Sequence, residues 1–299
     1  MKILSLDGGG VFGVGQALIL SQLDNSKWDL VCGTSIGSAV AAFVATGKEI
    51  NVDFFREHMP EIFNPSAFRN PLWVSRYSDK YINKLLSKTF KGEMLKDTQI
   101  PIYITASSIS GHSPKVFSSL SVEDGTMLIS DCVRASCAAQ TYFRPWQGYG
   151  DGGIFTNNPS MVAVTWAMRE FGIGMDEIEL CSIGTGAFSR SGYENGDNLV
   201  YWGNWMVRAL FEGGADKLFD EMASSLPLKR YDRYQFVKRP YWKIDNIEHM
   251  REAIEDWMHP ALDMSLEIKH GILSSDEYEG EMITLNTEEE DNFNKAMKI

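Results

Sequence analysis

WDLVCGTSIGSAVAAFVATG occupies residues 28–47. WDLVC reads as a short buried strand that Gly33 stops, and the small, apolar run from Ile36 reads as a helix ending at Gly47. Between them, Gly33-Thr34-Ser35-Ile36-Gly37 forms G-x-S-x-G at a strand-to-helix turn. Small residues on both sides let such a turn close tightly. The Ser35 hydroxyl is then held outward at the N-terminus of the next helix, as a nucleophile requires. A chance match in a glycine-rich chain is the alternative, and the strand–turn–helix context argues against it.

Upstream, KILSL (2–6) is another short apolar run, and LDGGGVFGVG follows it. Strand, helix, strand and helix within 47 residues predict a parallel sheet. Gly8, Gly10 and Gly13 satisfy G-x-G-x-x-G, which would suit a dinucleotide. The same glycines suit a nest of backbone N–H groups that holds an anionic oxygen. A plain tight turn is the third reading. A dinucleotide site wants an acidic residue at the end of the second strand. Asp29 lies within that strand, and its end is occupied by the serine turn.

Downstream, the periodicity predicts a helix over 78–90 with Ser78 as N-cap, a strand over 100–109 and a paired strand over 114–119. Residues 121–139 read as mostly helical, 158–172 as a helix and 178–186 as a strand with a Gly-rich exit. Long helical stretches follow at 200–226 and 247–273, the second interrupted by Pro260, with a strand over 230–237 between them. Residues 51–76, rich in Phe, Pro and Asn, read as a lid-like excursion. The C-terminal end is acidic at Asp276, Glu277, Glu279 and Glu281, then from Glu288 to Asp291.

A serine nucleophile needs a base. His249, His259 and His270 follow Ser35 in the order of a hydrolase triad, but all three fall in helical stretches. His58 and His112 complete the set of five. Asp151, in GYGDGGIFTNNP (148–159), sits between glycines on a loop and can approach a second loop closely. A simple Asp-Gly turn is the competing reading.

The composition, 44% hydrophobic and 23% charged over 299 residues, is that of a globular domain. A net charge of −12 argues against a nucleic-acid polymer as partner. Cys32, Cys132, Cys137 and Cys181 form no C-x-x-C pair, so neither a zinc site nor a disulfide framework is expected. No metal or cofactor is expected either. No signal peptide and no apolar run long enough to span a bilayer are legible, which leads to the expectation of a cytoplasmic protein meeting membranes at their surface.

Taken together, LDGGGVFG, GTSIG and DGG, in this order, make the chain resemble the patatin-like phospholipase family. PIYITASSI, KVFSS, RASCAAQTYFRP and SIGTG extend the likeness, which weakens after about residue 240. The resemblance implies a three-layer α/β/α fold with a mainly parallel sheet and a Ser–Asp dyad without histidine. Ser35 would be the nucleophile, Asp151 the general base, and Gly8, Gly9 and Gly10 the oxyanion hole. Asp7, Gly13, Gly33, Gly37, Gly152 and Gly153 would support these motifs. It implies residues 1–240 as the catalytic domain, with a helical part and acidic tail over 241–299 packed on it. The family usually carries Arg or Lys two residues after the third glycine. Phe12 stands there, so an Arg at that position is expected to be tolerated.

The expected activity is phospholipase A-type hydrolysis through an acyl-enzyme, in a bacterial effector that degrades membrane phospholipid. A broader esterase on neutral lipids or thioesters is the alternative. A non-catalytic scaffold and a dinucleotide-binding protein are remoter ones. LKRYDRYQFVKRPYWK (228–243) interleaves Lys229, Arg230, Arg233, Lys238, Arg239 and Lys243 with aromatics. That pattern suits an anionic lipid surface or a nucleotide activator, against a strand pair with a solvated basic face. An oligomer is compatible with the sequence.

Overall fold

The computed structural model describes residues 1–23, 28–65, 74–188, 198, 201–203, 205–206, 209, 214–239 and 241–258. Its strands are β1 (Lys2–Leu6), β2 (Leu30–Thr34), β3 (Ile102–Ser108), β4 (Ser113–Ser118), β5 (Tyr149–Asp151), β6 (Glu179–Ile183), β7 (Ala187–Phe188), β8 (Arg230–Tyr234) and β9 (Val237–Lys238). Five run parallel in the order β3-β2-β1-β6-β8, while β4 and β5 pair antiparallel with β3. β7 and β9 form a separate parallel pair.

Successive strand residues point to opposite faces. Ile3, Leu30, Cys32 and Tyr103 pack with Ala163 and Val164 of a helix over Ser160–Phe171 and with Ala223 of the helix Gly214–Ser225. Leu4, Leu6, Val31 and Ile104 face the other layer. That layer holds α1 (Gly13–Leu20), α2 (Ile36–Ala45), α3 (Val52–Ile62), α4 (Lys80–Phe90), α5 (Ile129–Ser136) and the helix Ile247–Trp257. The three-layer α/β/α architecture with a mainly parallel sheet is therefore the observed one.

Register brings the motifs together. The last pair of the β2–β3 ladder is Thr34 with Thr105. The next residue of β3, Ala106, pairs with Asp151 on β5. β5 thus continues the line of β2 along the same side of β3, and Asp151 ends beside Ser35.

Three local expectations are corrected. Residues 52–62 are helix, not part of a lid-like loop. The Asn51 side chain accepts the Phe54 N–H at 3.1 Å, and Phe55, Met59 and Ile62 form the buried i, i+4, i+7 face. Pro60 sits in the last turn and does not stop the helix. Within 121–139, α-helix covers only Ile129–Ser136. The Asp124 carboxylate binds Lys115 at 2.7 Å and the Ser118 N–H at 3.2 Å, tying that stretch to β4 as a turn. The strand over 230–237 breaks after Tyr234, where Gln235 turns its amide oxygen to the Gly186 N–H at 2.6 Å.

The helix Ile247–Trp257 is part of the main core, since Met250, Ala253, Ile254 and Trp257 are buried in it. Pro260, His259, His270, the acidic residues 276–291 and much of the run 200–213 lie outside the described residues.

Candidate active site

Ser35 lies between β2 and α2 with φ 52° and ψ −126°. A left-handed φ at a serine costs on the order of 1–3 kcal/mol and survives only where the surroundings impose it. Here the Ser35 N–H donates to Ser136 Oγ at 2.8 Å, and its carbonyl accepts the Ser38 N–H at 2.9 Å and the Ser38 hydroxyl at 2.6 Å. The flanking glycines permit the turn. A Cβ at Gly33 would meet the Gly37 backbone, and one at Gly37 the Leu6 and Asp7 carbonyls. Gly13 leaves room for Ile36 and Phe55 in the same way.

The Ser35 hydroxyl donates to Asp151 Oδ2 at 2.6 Å. Asp151 Oδ1 accepts the Gly153 N–H at 2.7 Å, and the Asp151 N–H donates to the Ala138 carbonyl at 3.1 Å. Gly152 is required by the close approach of Thr105. Asp151 is fully buried. Burial pushes its carboxyl up to about 7, against the opposing pull of the Ser35 hydroxyl and the Gly153 N–H. A carboxyl group that titrates near neutrality takes a proton from serine more readily than an ordinary aspartate does.

The glycine turn after β1 is held on every side but one. The Asp7 N–H donates to the Ile183 carbonyl at 3.1 Å, and the Asp7 carbonyl accepts Gln16 Nε2 at 2.8 Å. The Gly8 N–H donates to the Asn157 carbonyl at 3.0 Å, while the Gly8 carbonyl accepts the Thr185 hydroxyl at 2.7 Å. The Val11 N–H donates to the Ile244 carbonyl at 2.9 Å. Among the described residues, no hydrogen bond takes the N–H of Gly9 or Gly10. These two glycines line a cleft with Ser35. Gly8, expected as a third donor, is instead spent on the loop of Asn157. Gly10 has φ 60°, and a Cβ there would run into the Ile244 carbonyl. The cleft beyond them is apolar, walled by Met59, Ile62, Phe63, Ile82, Tyr142 and Phe143.

Asn157, Thr185 and Ile244 escape a search for reactive residues, because they act through backbone groups or small hydroxyls. Their signal was position: Asn157 and Thr185 stand in Gly- or Asn-rich exits following the motifs. Among the described residues, His58 and His249 are hydrogen-bonded elsewhere, and His259 and His270 lie outside those residues. His58 Nδ1 is hydrogen-bonded to the Tyr81 hydroxyl at 3.0 Å, and His249 Nδ1 accepts the Lys243 N–H at 2.9 Å.

Phe12 does not line the cleft. It is fully buried, stacked on Trp242 at 5.5 Å and beside Trp257 at 6.1 Å, with Lys238 Nζ 4.6 Å over its ring. An Arg there would bury a second cation, so the expected tolerance is withdrawn. The cations of the basic stretch 228–243 are largely paired with carboxylates. Lys229 pairs with Glu179 at 2.6 Å, Arg230 with Asp232 at 2.7 Å and Arg239 with Asp256 at 2.9 Å. Arg233 and Lys238 are buried or nearly so, and Lys243 is exposed. Among the described residues, no cluster of three His, Cys, Asp or Glu side chains could hold a metal ion, and no helix is long and apolar enough to cross a membrane.

The sequence model of patatin-like phospholipases matches residues 4–164. The chain belongs to this family. It is a lipid hydrolase. Patatin-like protein 1 of Arabidopsis thaliana is 29% identical over 77% of this chain and 69% of its own length. The cGAMP-activated phospholipase of Vibrio cholerae is 26% identical over 86% of this chain and 84% of its own. The crystal structure of VipD from Legionella pneumophila aligns with TM-score 0.38 and 11% identity over 86% of this chain and 67% of that one.

Proposed function

We propose that this patatin-like chain hydrolyses membrane phospholipids at an acyl ester, with Ser35 as nucleophile and Asp151 as general base. One observation carries the reading: the 2.6 Å bond from Ser35 to a buried carboxylate, beside an apolar cleft that is also lined by Gly9 and Gly10, whose N–H groups make no hydrogen bond among the described residues. The acyl chain occupies the cleft. Ser35 Oγ attacks the ester carbonyl while its proton passes to Asp151. The carbonyl oxygen, now an oxyanion, accepts from the N–H groups of Gly9 and Gly10. Collapse breaks the bond to the alcohol, which leaves as lysolipid with the proton from Asp151. Water then attacks the acyl-enzyme, losing its proton to Asp151, which returns it to Ser35 Oγ as the acyl–oxygen bond breaks and the fatty acid departs. Each oxyanion donor in such a site contributes roughly 3–4 kcal/mol to the transition state.

The enzyme acts at the membrane surface on the cytoplasmic side, and residues 1–240 with the packed helix Ile247–Trp257 form the catalytic unit. The Vibrio cholerae relative supports a nucleotide as activator. Within 228–243, Lys229, Arg230, Arg233 and Arg239 are paired with carboxylates, and an anionic activator there would compete with those partners.

A lipid panel with products resolved by mass tests the reading. Wild type is expected to release fatty acid and lysophospholipid, and Ser35→Ala neither. Hydrolysis of neutral esters or thioesters alone would replace the phospholipid assignment by the broader esterase. Retention of more than a few per cent of the wild-type rate by Ser35→Ala would remove Ser35 from the mechanism.

A further inference from the structure

One charged contact reaches the glycine turn from the far edge of the sheet. Arg233 lies on β8, with β6 standing between it and β1. Its Nη1 donates to Ser182 Oγ at 2.6 Å and its Nη2 to Asp7 Oδ2 at 2.5 Å. Ser182 is paired in register with Arg233 on one side and with Ser5 on the other. The guanidinium therefore crosses β6 over a serine, where a larger side chain would block it, and ends on the residue immediately before Gly8. Behind it, Asp220 of the helix Gly214–Ser225 lies 3.8 Å from Nε and accepts the Tyr231 hydroxyl.

A buried ion pair is weak evidence of stability, because desolvating both ions offsets most of their attraction. What the fork of a guanidinium supplies is direction, since two parallel donors fix both partners at once. Asp7 is fully buried, and its backbone is already tied to β6 and α1 through Ile183 and Gln16. Its side chain is one further handle on the turn, besides the bonds of Gly8 and Val11 to Asn157, Thr185 and Ile244.

We propose that Arg233 is the positioning residue of the oxyanion turn: by bridging Ser182 and Asp7 it sets the direction in which Gly9 and Gly10 present their N–H groups. This rests on the acyl-hydrolase reading above. Arg233 does not line the cleft. Its effect belongs in kcat more than in KM, because the oxyanion exists only after attack.

The test uses the full chain, a soluble short-chain ester and a fluorophosphonate that labels the reactive serine. Labelling at completion, read by intact mass, counts folded sites. Arg233→Lys keeps the charge but loses the fork, and Ser182→Ala removes one of its two acceptors. Both are expected to label fully. Turnover per labelled site is expected to fall about tenfold in Arg233→Lys, with KM within about twofold. The double variant Asp7→Asn with Arg233→Lys is expected to be little worse than either single one, because the pair acts as a unit. Should Arg233→Lys fail to fold, Ser182→Ala still decides the question. Unchanged turnover per labelled site in Arg233→Lys and Ser182→Ala overturns the proposal, as does a loss that only tracks the fraction labelled. A wild type that neither turns over nor labels overturns the acyl-hydrolase reading itself, and the inference with it.

Discussion

The two halves of the candidate site are built in opposite ways. The nucleophile half is compact: Gly33 to Gly37 form one turn, and Asp151, 116 residues further along the chain, reaches it through a single register step on β3. The oxyanion half is distributed. Its turn spans Asp7 to Phe12, yet its anchors are Asn157, Ile183, Thr185, Arg233 and Ile244, all far away in sequence. A reactive hydroxyl needs one strained residue and one acceptor. A pair of backbone donors has no side chain of its own, so its aim is set entirely by what grips the neighbouring groups. Reactivity is thus encoded in short motifs, and alignment in long-range contacts.

The largest expected effect lies in the compact half. Asp151→Asn leaves the Gly153 contact possible but removes the proton acceptor, and turnover is expected to fall at least a thousandfold in steady-state kinetics. In wild type, kcat/KM is expected to rise with pH to a plateau with a midpoint of about 7, as Asp151 ionises. Stability has the opposite sign. The folded state holds on to a proton that the unfolded chain has released at the usual carboxylate value near 3.8. The contribution of Asp151 is therefore full below that value and is lost as pH rises through about 7. Asp151→Asn is expected to be the more stable protein at pH 8 by roughly 1–3 kcal/mol, with the gap closing toward pH 4, by denaturant unfolding. Equal stability at both pH values would remove the strained base from the comparison.

The distributed half is broken next. A Cβ at Gly9 would collide with the Thr185 hydroxyl that holds the Gly8 carbonyl. Gly9→Ala is expected to lower kcat roughly a hundredfold, with a small change in KM, on one soluble ester. An unchanged kcat would reduce the glycine run to a turn. Phe12→Arg acts through folding. A guanidinium among Trp242, Trp257 and Lys238 is expected to cost about 3–5 kcal/mol in urea unfolding. Wild-type stability in that variant would mean that the aromatic box opens to solvent. His249→Ala marks the small end of the scale. It removes the acceptor of the Lys243 N–H and is expected to change turnover less than about threefold. A loss comparable to that of Asp151→Asn would put a triad in place of the dyad.

Much of this arrangement was legible in the sequence. The strand–turn–helix around Ser35, the small residues that close it and the parallel order of the early strands follow from local spacing and sterics, which a short window contains. The glycines of the first turn left a donor nest, a dinucleotide site and a plain turn all open, and the Gly8 N–H is bonded to Asn157. Helix α3 was obscured because Phe and Pro in its interior masked the period of Phe55, Met59 and Ile62, which only burial against the neighbouring helices made decisive. Phe12 and the basic stretch could not be read locally. A cation is free or spent according to which carboxylate folds against it, and an aromatic residue lines a pocket or a core according to which helix covers it. Sequence alone singled out Ser35 and Asp151 as the candidate reacting pair. Tertiary structure decided which of three glycine N–H groups remain unbonded, and which cation of 228–243 was taken inward to Asp7, because hydrogen bonds between strands distant in the chain exist only once the sheet has assembled.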